Sequence, residues 1–253
     1  MASDAKDCIG LVGACGRMGR SVALKLWESG FLLLPIEAPS HPAQGKDYGV
    51  ACKMSPSGVT VTTVADPAFA SCRAVVDFSS PEGFRQAIEN ALAFGIPFLS
   101  GTTGITEEEH SLMADAARRI PIFYSANMSY GVAVLSDILL HLARLTADMA
   151  VSIIEVHHSR KKDAPSGTAL RFGEIVKTAR GKDDIAIHSV RAGDVVGEHT
   201  ITFFGDGERI ELTHRAHTRD LFAAGALHAL RWLLDRKGPG LYSMSDVVRD
   251  TAQ

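Results

Sequence analysis

Nowhere in its 253 residues does this chain run 18 apolar residues without a break, so the sequence offers no transmembrane helix. Cysteine is scarce. Only Cys8, Cys15, Cys52 and Cys72 occur, with no CxxC pair and no metal-ligand spacing, and we expect no metal site. That usage fits a reducing compartment better than a disulfide framework. An excess of positive charge is also missing: 26 Lys and Arg stand against 29 Asp and Glu. The basic residues cluster locally instead of covering a face, which argues against a nucleic-acid partner. The polar opening Met1–Asp7 lacks the apolar core of a secretory signal, and no internal repeat or low-complexity tract is visible. These absences predict a cytoplasmic protein with no membrane and no nucleic-acid partner. The length is large for one core, so two domains are expected.

The first 128 residues alternate apolar runs with helical spacing. Cys8–Val12 reads as a buried strand, Arg17–Ser29 as a helix that Gly30 closes, and Phe31–Ile36 as a second strand ending at Glu37. Residues 38–58, rich in Pro, Gly and Ser, read as a long loop or small excursion, and Val59–Val64 as strand-like. Ala74–Phe78 is a buried strand followed by a helix from Pro81 to Phe94. Ile96–Leu99 and Pro121–Tyr124 are further strands around a helix that Thr106 and Glu109 start as a capping box. Such alternation predicts an α/β fold with a Rossmann-type parallel sheet.

Past Tyr130 the pattern changes. A helix over Val132–Thr146 precedes the alternating, β-branched strand Ala150–His157. Strand-like runs at 185–190, 199–204 and 209–213, the last two around Gly205-Asp-Gly207, predict a smaller α+β domain with antiparallel pairing. Leu221–Leu234 reads as a final amphipathic helix, with Gly238-Pro-Gly240 introducing a tail. We place one domain at 1–128 with 219–253, and a second at 129–218.

Two motifs carry chemistry. Gly13-Ala14-Cys15-Gly16-Arg17-Met18-Gly19 follows the first strand and opens the first helix, as a dinucleotide fingerprint should. Its spacing is GxxGxxG. Gly13 permits the sharp exit, Gly16 close approach of a pyrophosphate, and Gly19 helix–sheet packing, while helix-start amides and Arg17 neutralise the phosphates. Glu37, 18 residues after Gly19, is placed to accept both ribose hydroxyls and to repel a 2′-phosphate. The residues after it are Ala38, Pro39, Ser40 and His41, which predicts NADH over NADPH. Gly101-Thr102-Thr103 and Ser125-Ala126-Asn127-Met128 lie at expected strand ends, and Phe78 is placed to pack on the cofactor.

The second motif is Glu155-Val-His-His-Ser-Arg-Lys-Lys-Asp-Ala-Pro-Ser-Gly-Thr168. It sets two imidazoles and three cations opposite a helix start that Pro165 and Ser166 define. The open amides at Gly167 and Thr168 expect an anion. The combination suits a small carboxylate or phosphate ligand with a proton donor beside it. On the residues alone, the alternatives are another NAD-dependent dehydrogenase acting on a small amino or semialdehyde acid, and a catalytically silent nucleotide-sensing module.

Taken together, GACGRMGR (13–20), DFSSPEG (77–83), GTTG (101–104), SANMSYGV (125–132), EVHHSRKKDAPSGTA (155–169) and GERIELTHRA (207–216) resemble dihydrodipicolinate reductases. The resemblance spans nearly the whole chain, and HHxxKxDxPSGTA is its most specific piece. It implies a Rossmann domain plus a substrate domain whose sheet assembles homotetramers. It further implies NADH- or NADPH-dependent reduction of 4-hydroxy-tetrahydrodipicolinate, a cyclic dicarboxylate, in diaminopimelate and lysine synthesis. By that likeness His157 is the proton donor and Lys161 the second catalytic residue. His158, Ser166, Gly167 and Thr168 would bind substrate. Gly13, Ala14, Cys15, Gly16, Arg17, Met18, Glu37, Phe78, Gly101–Thr103 and Ser125–Met128 would line the nucleotide. Dual-nucleotide members carry Arg where this chain has Ala38, and a basic residue where it has Gly10.

Overall fold

A computed structural model describes residues 7–181, 185–235 and 238–251; most of the polar opening segment lies outside the described residues. The chain divides into two compact units, Met1–Met128 with Phe222–Val247 and Ser129–Leu221 with Val248–Gln253. The second stretch of the first unit therefore begins at Phe222, not 219, and the chain from Val248 onward groups with the second unit.

The first unit contains β1 (Cys8–Val12), α1 (Arg17–Glu28), β2 (Leu32–Ile36), α2 (Tyr48–Ala51), β3 (Ala74–Asp77), α3 (Pro81–Phe94), β4 (Phe98–Ser100), α4 (Glu107–Ala116) and β5 (Pro121–Tyr124). Its strands form one all-parallel sheet with β10 (Gly240–Tyr242), in the order β10-β5-β4-β3-β1-β2. Continuous apolar strands are what a sheet covered on both faces requires. Each of the four residues of β3 is buried. The helices start where side chains satisfy the orphan amides: Ser80 accepts from Gly83 N, and Thr106 and Glu109 form a reciprocal capping box. Gly95, at φ 70°, ends α3 in the left-handed conformation. The core packs Val12, Ile36, Phe69, Phe84, Ile88, Phe98 and Ile122.

Three segments depart from the sequence reading. Residues 59–64 make only isolated bridges, Ile36 with Thr62 and Asp47 with Thr60. The neighbouring strand β2 is an edge strand containing Pro35, whose carbonyl accepts from Thr62 N. Proline supplies no amide in return, so no ladder propagates there. Residues 38–58 are an ordered excursion, not an open loop. The Asp47 carboxylate accepts from the amides of Val50, Ser57 and Gly58, and these bonds lower its carboxyl to about 2. The excursion buries Tyr48, whose hydroxyl donates to Ala14 O at 2.9 Å beneath the glycine turn. Gly238-Pro-Gly240 leads not to a tail but to β10 on β5 and to α8 (Met244–Thr251). Trp232 of α7 (Asp220–Leu234) packs edge-on against Phe123 and Tyr242, and anchors that added strand.

The second unit holds α5 (Tyr130–Leu145), β6 (Ala150–His157), α6 (Gly167–Arg180), β7 (Ala186–Arg191), β8 (Gly197–Gly205) and β9 (Glu208–Ala216). The sheet order is β7-β6-β8-β9. Here the expected antiparallel sheet is mixed: β6 pairs with β7 in parallel, because α6 carries the chain back across the sheet between them. Helices α5 and α6 cover one face, where Val151, Ile153, Ile201 and Phe203 meet Leu139, Phe172 and Val176. The opposite face carries Ile154, Val190 and Phe204, each more than two-fifths exposed. No helix among the described residues is long and apolar enough to cross a membrane.

Candidate active site

At the end of β1 the chain turns sharply. Gly13 takes φ 75°, and a Cβ there would lie 2.5 Å from Phe78 O; on Gly19 it would lie 2.1 Å from Gly13 O. These are approaches only glycine permits. Gly16 caps α1 with no side-chain bond to the first-turn amides, which is the arrangement an anion completes. Glu37, one residue past β2, accepts from Cys15 N at 2.6 Å. A cleft of about 510 Å³ opens at this point. Gly13, Cys15, Gly16, Glu37 and Phe78 line it together with Ala38–His41, Ser79, Ser80, Glu82 and Gln86. Its described lining contains two carboxylates and no Lys or Arg. The glycine turn, the open helix start and the acid at the second strand end fit a dinucleotide.

The other residues expected at the nucleotide are placed differently. Ala14 is fully buried, and its carbonyl is taken by Tyr48. Arg17 and Met18 lie on the first turn of α1, outside the cleft wall. Gly101 lies under the Phe78 ring, where a Cβ would come within 2.3 Å of it. Thr103 is exposed, but Thr102 turns inward and donates to Asp77 Oδ2 at 2.7 Å. Ser125 and Met128 are buried, with Ser125 Oγ donating to Asn127 O at 2.6 Å, and Ala126 is exposed.

Asp77 is the residue the sequence reading leaves without a role. It has no exposed surface, and it accepts from Ser79 N, Ser79 Oγ, Ser100 Oγ and Thr102 Oγ1. Burial pushes its carboxyl up, and the bonds from Ser79, Ser100 and Thr102 oppose that shift. One carboxylate thus braces the Phe78–Ser80 turn and the Gly101–Thr103 turn together.

The second unit builds a different environment. On the helix-covered face β6 is apolar at Val151 and Ile153, then ionisable at Glu155 and His157, because alternate residues share a face. Glu155 has no exposed surface. Its Oε1 accepts from Arg191 Nη2 at 2.6 Å and from Ser166 N at 3.3 Å, and its Oε2 bonds His157 Nδ1. Burial alone would raise this carboxyl, but the bonds from Arg191, Ser189 and His157 outweigh it and bring it down to about 2. Burial lowers the His157 imidazole, and the Lys161 and Arg191 charges add to that against the pull of Glu155. His199, opposite Glu155 on β8, is brought down to about 4 by burial, and its ring stands edge-on to His157 at 5.2 Å.

Around this centre lie the other predicted residues. Lys161 pairs with Asp163 at 2.8 Å, and His158 Nε2 lies 3.3 Å from Arg219 Nη2. Ser166 does not offer its hydroxyl outward. It accepts from Ala169 N as the cap of α6 and bonds His199 Nε2 at 3.1 Å, leaving exposed Gly167 to face solvent at the helix start. Together with Asp77, the residues sequence reasoning missed are Glu155, Arg191, His199 and Arg219. For Glu155 the signal was present, since it stands two positions before His157 on an alternating strand. Two groups among the described residues gather three metal-ligating atoms, Cys15–Glu37–His41 and Glu155–His157–His199. In the second, Arg191 and Lys161 oppose a divalent cation.

Comparison with known proteins bears on both units. Family models match as dihydrodipicolinate reductase, N-terminus, over residues 8–128 and dihydrodipicolinate reductase, C-terminus, over residues 131–248. The 4-hydroxy-tetrahydrodipicolinate reductase of Citrifermentans bemidjiense is 39% identical over 262 residues, spanning 95% of this chain and 98% of that protein. The chain belongs to the dihydrodipicolinate reductase family. The Geobacter sulfurreducens protein of the same name is 38% identical over 261 residues, again spanning 95% and 98%. A dipicolinate-bound dihydrodipicolinate reductase from Paenisporosarcina sp. TG-14 shares the fold, with a TM-score of 0.79 at 21% identity over 95% of this chain and 98% of that one. As a member of the dihydrodipicolinate reductase family, the chain is an oxidoreductase on a nicotinamide-dinucleotide-binding fold.

The Asp77 brace yields a prediction. Asp77→Ala leaves buried donors unpaired, so it should cost about 2 kcal/mol in urea unfolding and weaken NADH binding severalfold. Asp77→Asn, which keeps one acceptor oxygen, should lose less of both. Unchanged nucleotide affinity in a destabilised Asp77→Ala protein would reduce the network to a purely structural one.

Proposed function

We propose that the protein reduces 4-hydroxy-tetrahydrodipicolinate, through its dehydrated form dihydrodipicolinate, to tetrahydrodipicolinate, in diaminopimelate and lysine synthesis in the cytoplasm. The observation that carries the reading is the buried Glu155–His157 pair beside a cationic loop and the start of α6. Membership of the reductase family across both units supports it. When bound, the nicotinamide dinucleotide supplies a hydride to the unsaturated ring. The remaining requirements are a proton and a grip on two carboxylates.

His157 supplies the proton. Its Nδ1 faces Glu155, so the nitrogen left for donation is Nε2. Lys161, His158, Gly167 and Thr168 take the carboxylates by charge-assisted hydrogen bonds, which orient as well as bind. Ser166 acts by shaping the helix start, since its own hydroxyl is engaged. At the nucleotide, Gly13, Cys15, Gly16, Glu37 and Phe78 provide the main cradle. Thr102 contributes through its bond to Asp77, while Gly101, Thr103 and Ser125–Met128 complete the nicotinamide side.

The proposed acid carries a clear expectation. His157→Gln should lower kcat by about 10²–10⁴-fold, the usual contribution of a general acid, with the NADH dissociation constant nearly unchanged. Lys161→Ala should also reduce turnover. The assay is NADH oxidation with the condensation product of pyruvate and aspartate semialdehyde. Equal loss of turnover and nucleotide affinity would instead mark His157 as a folding residue.

NADH is the proposed preference over NADPH. A 2′-phosphate would meet Glu37 and Glu82 in a cleft whose described lining has no Lys or Arg. Repulsion between such charges at a few ångströms amounts to about 1–4 kcal/mol. We expect kcat/KM for NADH to exceed that for NADPH by at least about tenfold, and equal values would remove Glu37 as a discriminator.

A homotetramer is the proposed assembly, formed through the open face that bears Ile154, Val190 and Phe204. Exposed apolar side chains on a sheet face that α5 and α6 leave uncovered support such an interface. Light scattering should give a mass near four times 27.0 kDa. A stable monomer would leave that face unexplained.

A further inference from the structure

The proposed chemistry uses His157 and the cations of the loop, and takes from Glu155 only that it faces Nδ1, although the buried groups of this site converge on that carboxylate. Val151 and Ile153, on the same sheet face, belong to the apolar core, and Glu155 does not. A carboxylate with no exposed surface carries a large desolvation cost, and a well-packed apolar residue often serves stability equally well. Its bonds indicate what it does. Arg191 Nη2 donates both to Glu155 Oε1 and to Asp163 O, each at 2.6 Å, so one guanidinium ties the buried acid to the loop that presents Lys161. The amide of Ser166 reaches the same carboxylate oxygen from the cap of α6. The other oxygen is left for His157 Nδ1.

We propose that Glu155, held by Arg191, is the positioning residue of the reaction: it keeps the proton of neutral His157 on Nδ1 and leaves Nε2 as the donating nitrogen. The inference rests on the assignment of His157 as the acid. Gly197 completes the device, because a Cβ there would come within 3.0 Å of His157 Nε2 and crowd the working nitrogen. The proton balance is simple. Imidazolium releases its Nε2 proton to the reduced ring, the Nδ1 proton stays against the carboxylate, and Glu155 remains ionised throughout. Solvent then returns a proton to Nε2. The groups facing His157 are Glu155 on β6, Lys161 in the following loop, Arg191 at the end of β7 and the His199 ring on β8. Only Glu155 favours the imidazolium.

The direction of the pH effect follows. The acid form of His157 is needed, so kcat/KM falls as pH rises through the His157 pKa, which lies below the usual histidine value. Removing Glu155 leaves Lys161 and Arg191 unopposed and lowers that pKa further. In Glu155→Gln, kcat should drop by about 10²-fold and the alkaline limb of kcat/KM should move down by about one pH unit, with NADH affinity retained. Titration of the substrate itself is common to wild type and variant and cancels in the comparison. Because Glu155→Gln strands Arg191, the double variant Glu155→Gln/Arg191→Met serves as the folding control. It should regain stability, return the limb part of the way upward, and stay slow. A slow Glu155→Gln enzyme whose limb coincides with wild type would overturn the positioning role and leave a structural one. If His157→Gln itself turns over normally, the assignment of the acid fails, and that result is distinct from the first.

Discussion

A carboxylate sealed from solvent, tied to a guanidinium on one side and an imidazole on the other, organises the second unit. Glu155 touches β6, β7 and the cap of α6 at once, through His157, Arg191 and Ser166. The carboxylate is tolerated because both of its oxygens are bonded, since an unpaired buried charge costs several kcal/mol. Satisfying it fixes where the proposed acid and the cationic loop stand. The same face that is apolar core at Ile153 becomes a polar site two residues later, with no change in secondary structure. The mixed sheet makes this possible. The parallel pairing of β6 with β7 sets His157 opposite Arg191 in register, and the antiparallel pairing with β8 sets Glu155 opposite His199.

In the first unit the governing constraint is steric. Phe78 and its backbone pass between Gly13 and Gly101 at distances that exclude any side chain. Asp77, next to it, gathers the hydroxyls of Ser79, Ser100 and Thr102 and locks the two turns against each other. Tyr48 supports the glycine turn from below through the Ala14 carbonyl. The two units therefore differ in electrostatic character. The proposed dinucleotide cleft is lined by carboxylates and offers phosphate only backbone amides, whereas the proposed substrate loop is cationic and offers carboxylate its side chains.

Much was legible where local rules act alone. Strands β1, β5 and β6 and the Thr106 and Ser166 caps are set by alternation and capping chemistry, both of which operate within a few residues. The glycine fingerprint and the His-His-to-Ser-Gly-Thr run could be recognised for the same reason. Less visible were features that depend on distant partners. Residues 59–64 look like a strand because their β-branched pattern is right, yet Pro35 on the neighbouring edge denies them a ladder. The Gly-Pro-Gly sequence at 238–240 has the composition of a linker, but Trp232 holds the following strand to β5.

By itself the sequence determined most of the element types, the glycine turn, the helix start at Ser166 and the clustering of cations before it, because each depends on neighbours in the chain. Tertiary structure alone decided that Thr102 and Ser166 spend their hydroxyls inward, that Asp77 joins two loops, and that Glu155, Arg191 and His199 surround His157. Those residues are separated by 36 positions between Glu155 and Arg191 and by 25 between Asp77 and Thr102. Only strand register and burial bring them within hydrogen-bond reach, and only burial gives their charges the leverage that water would screen away.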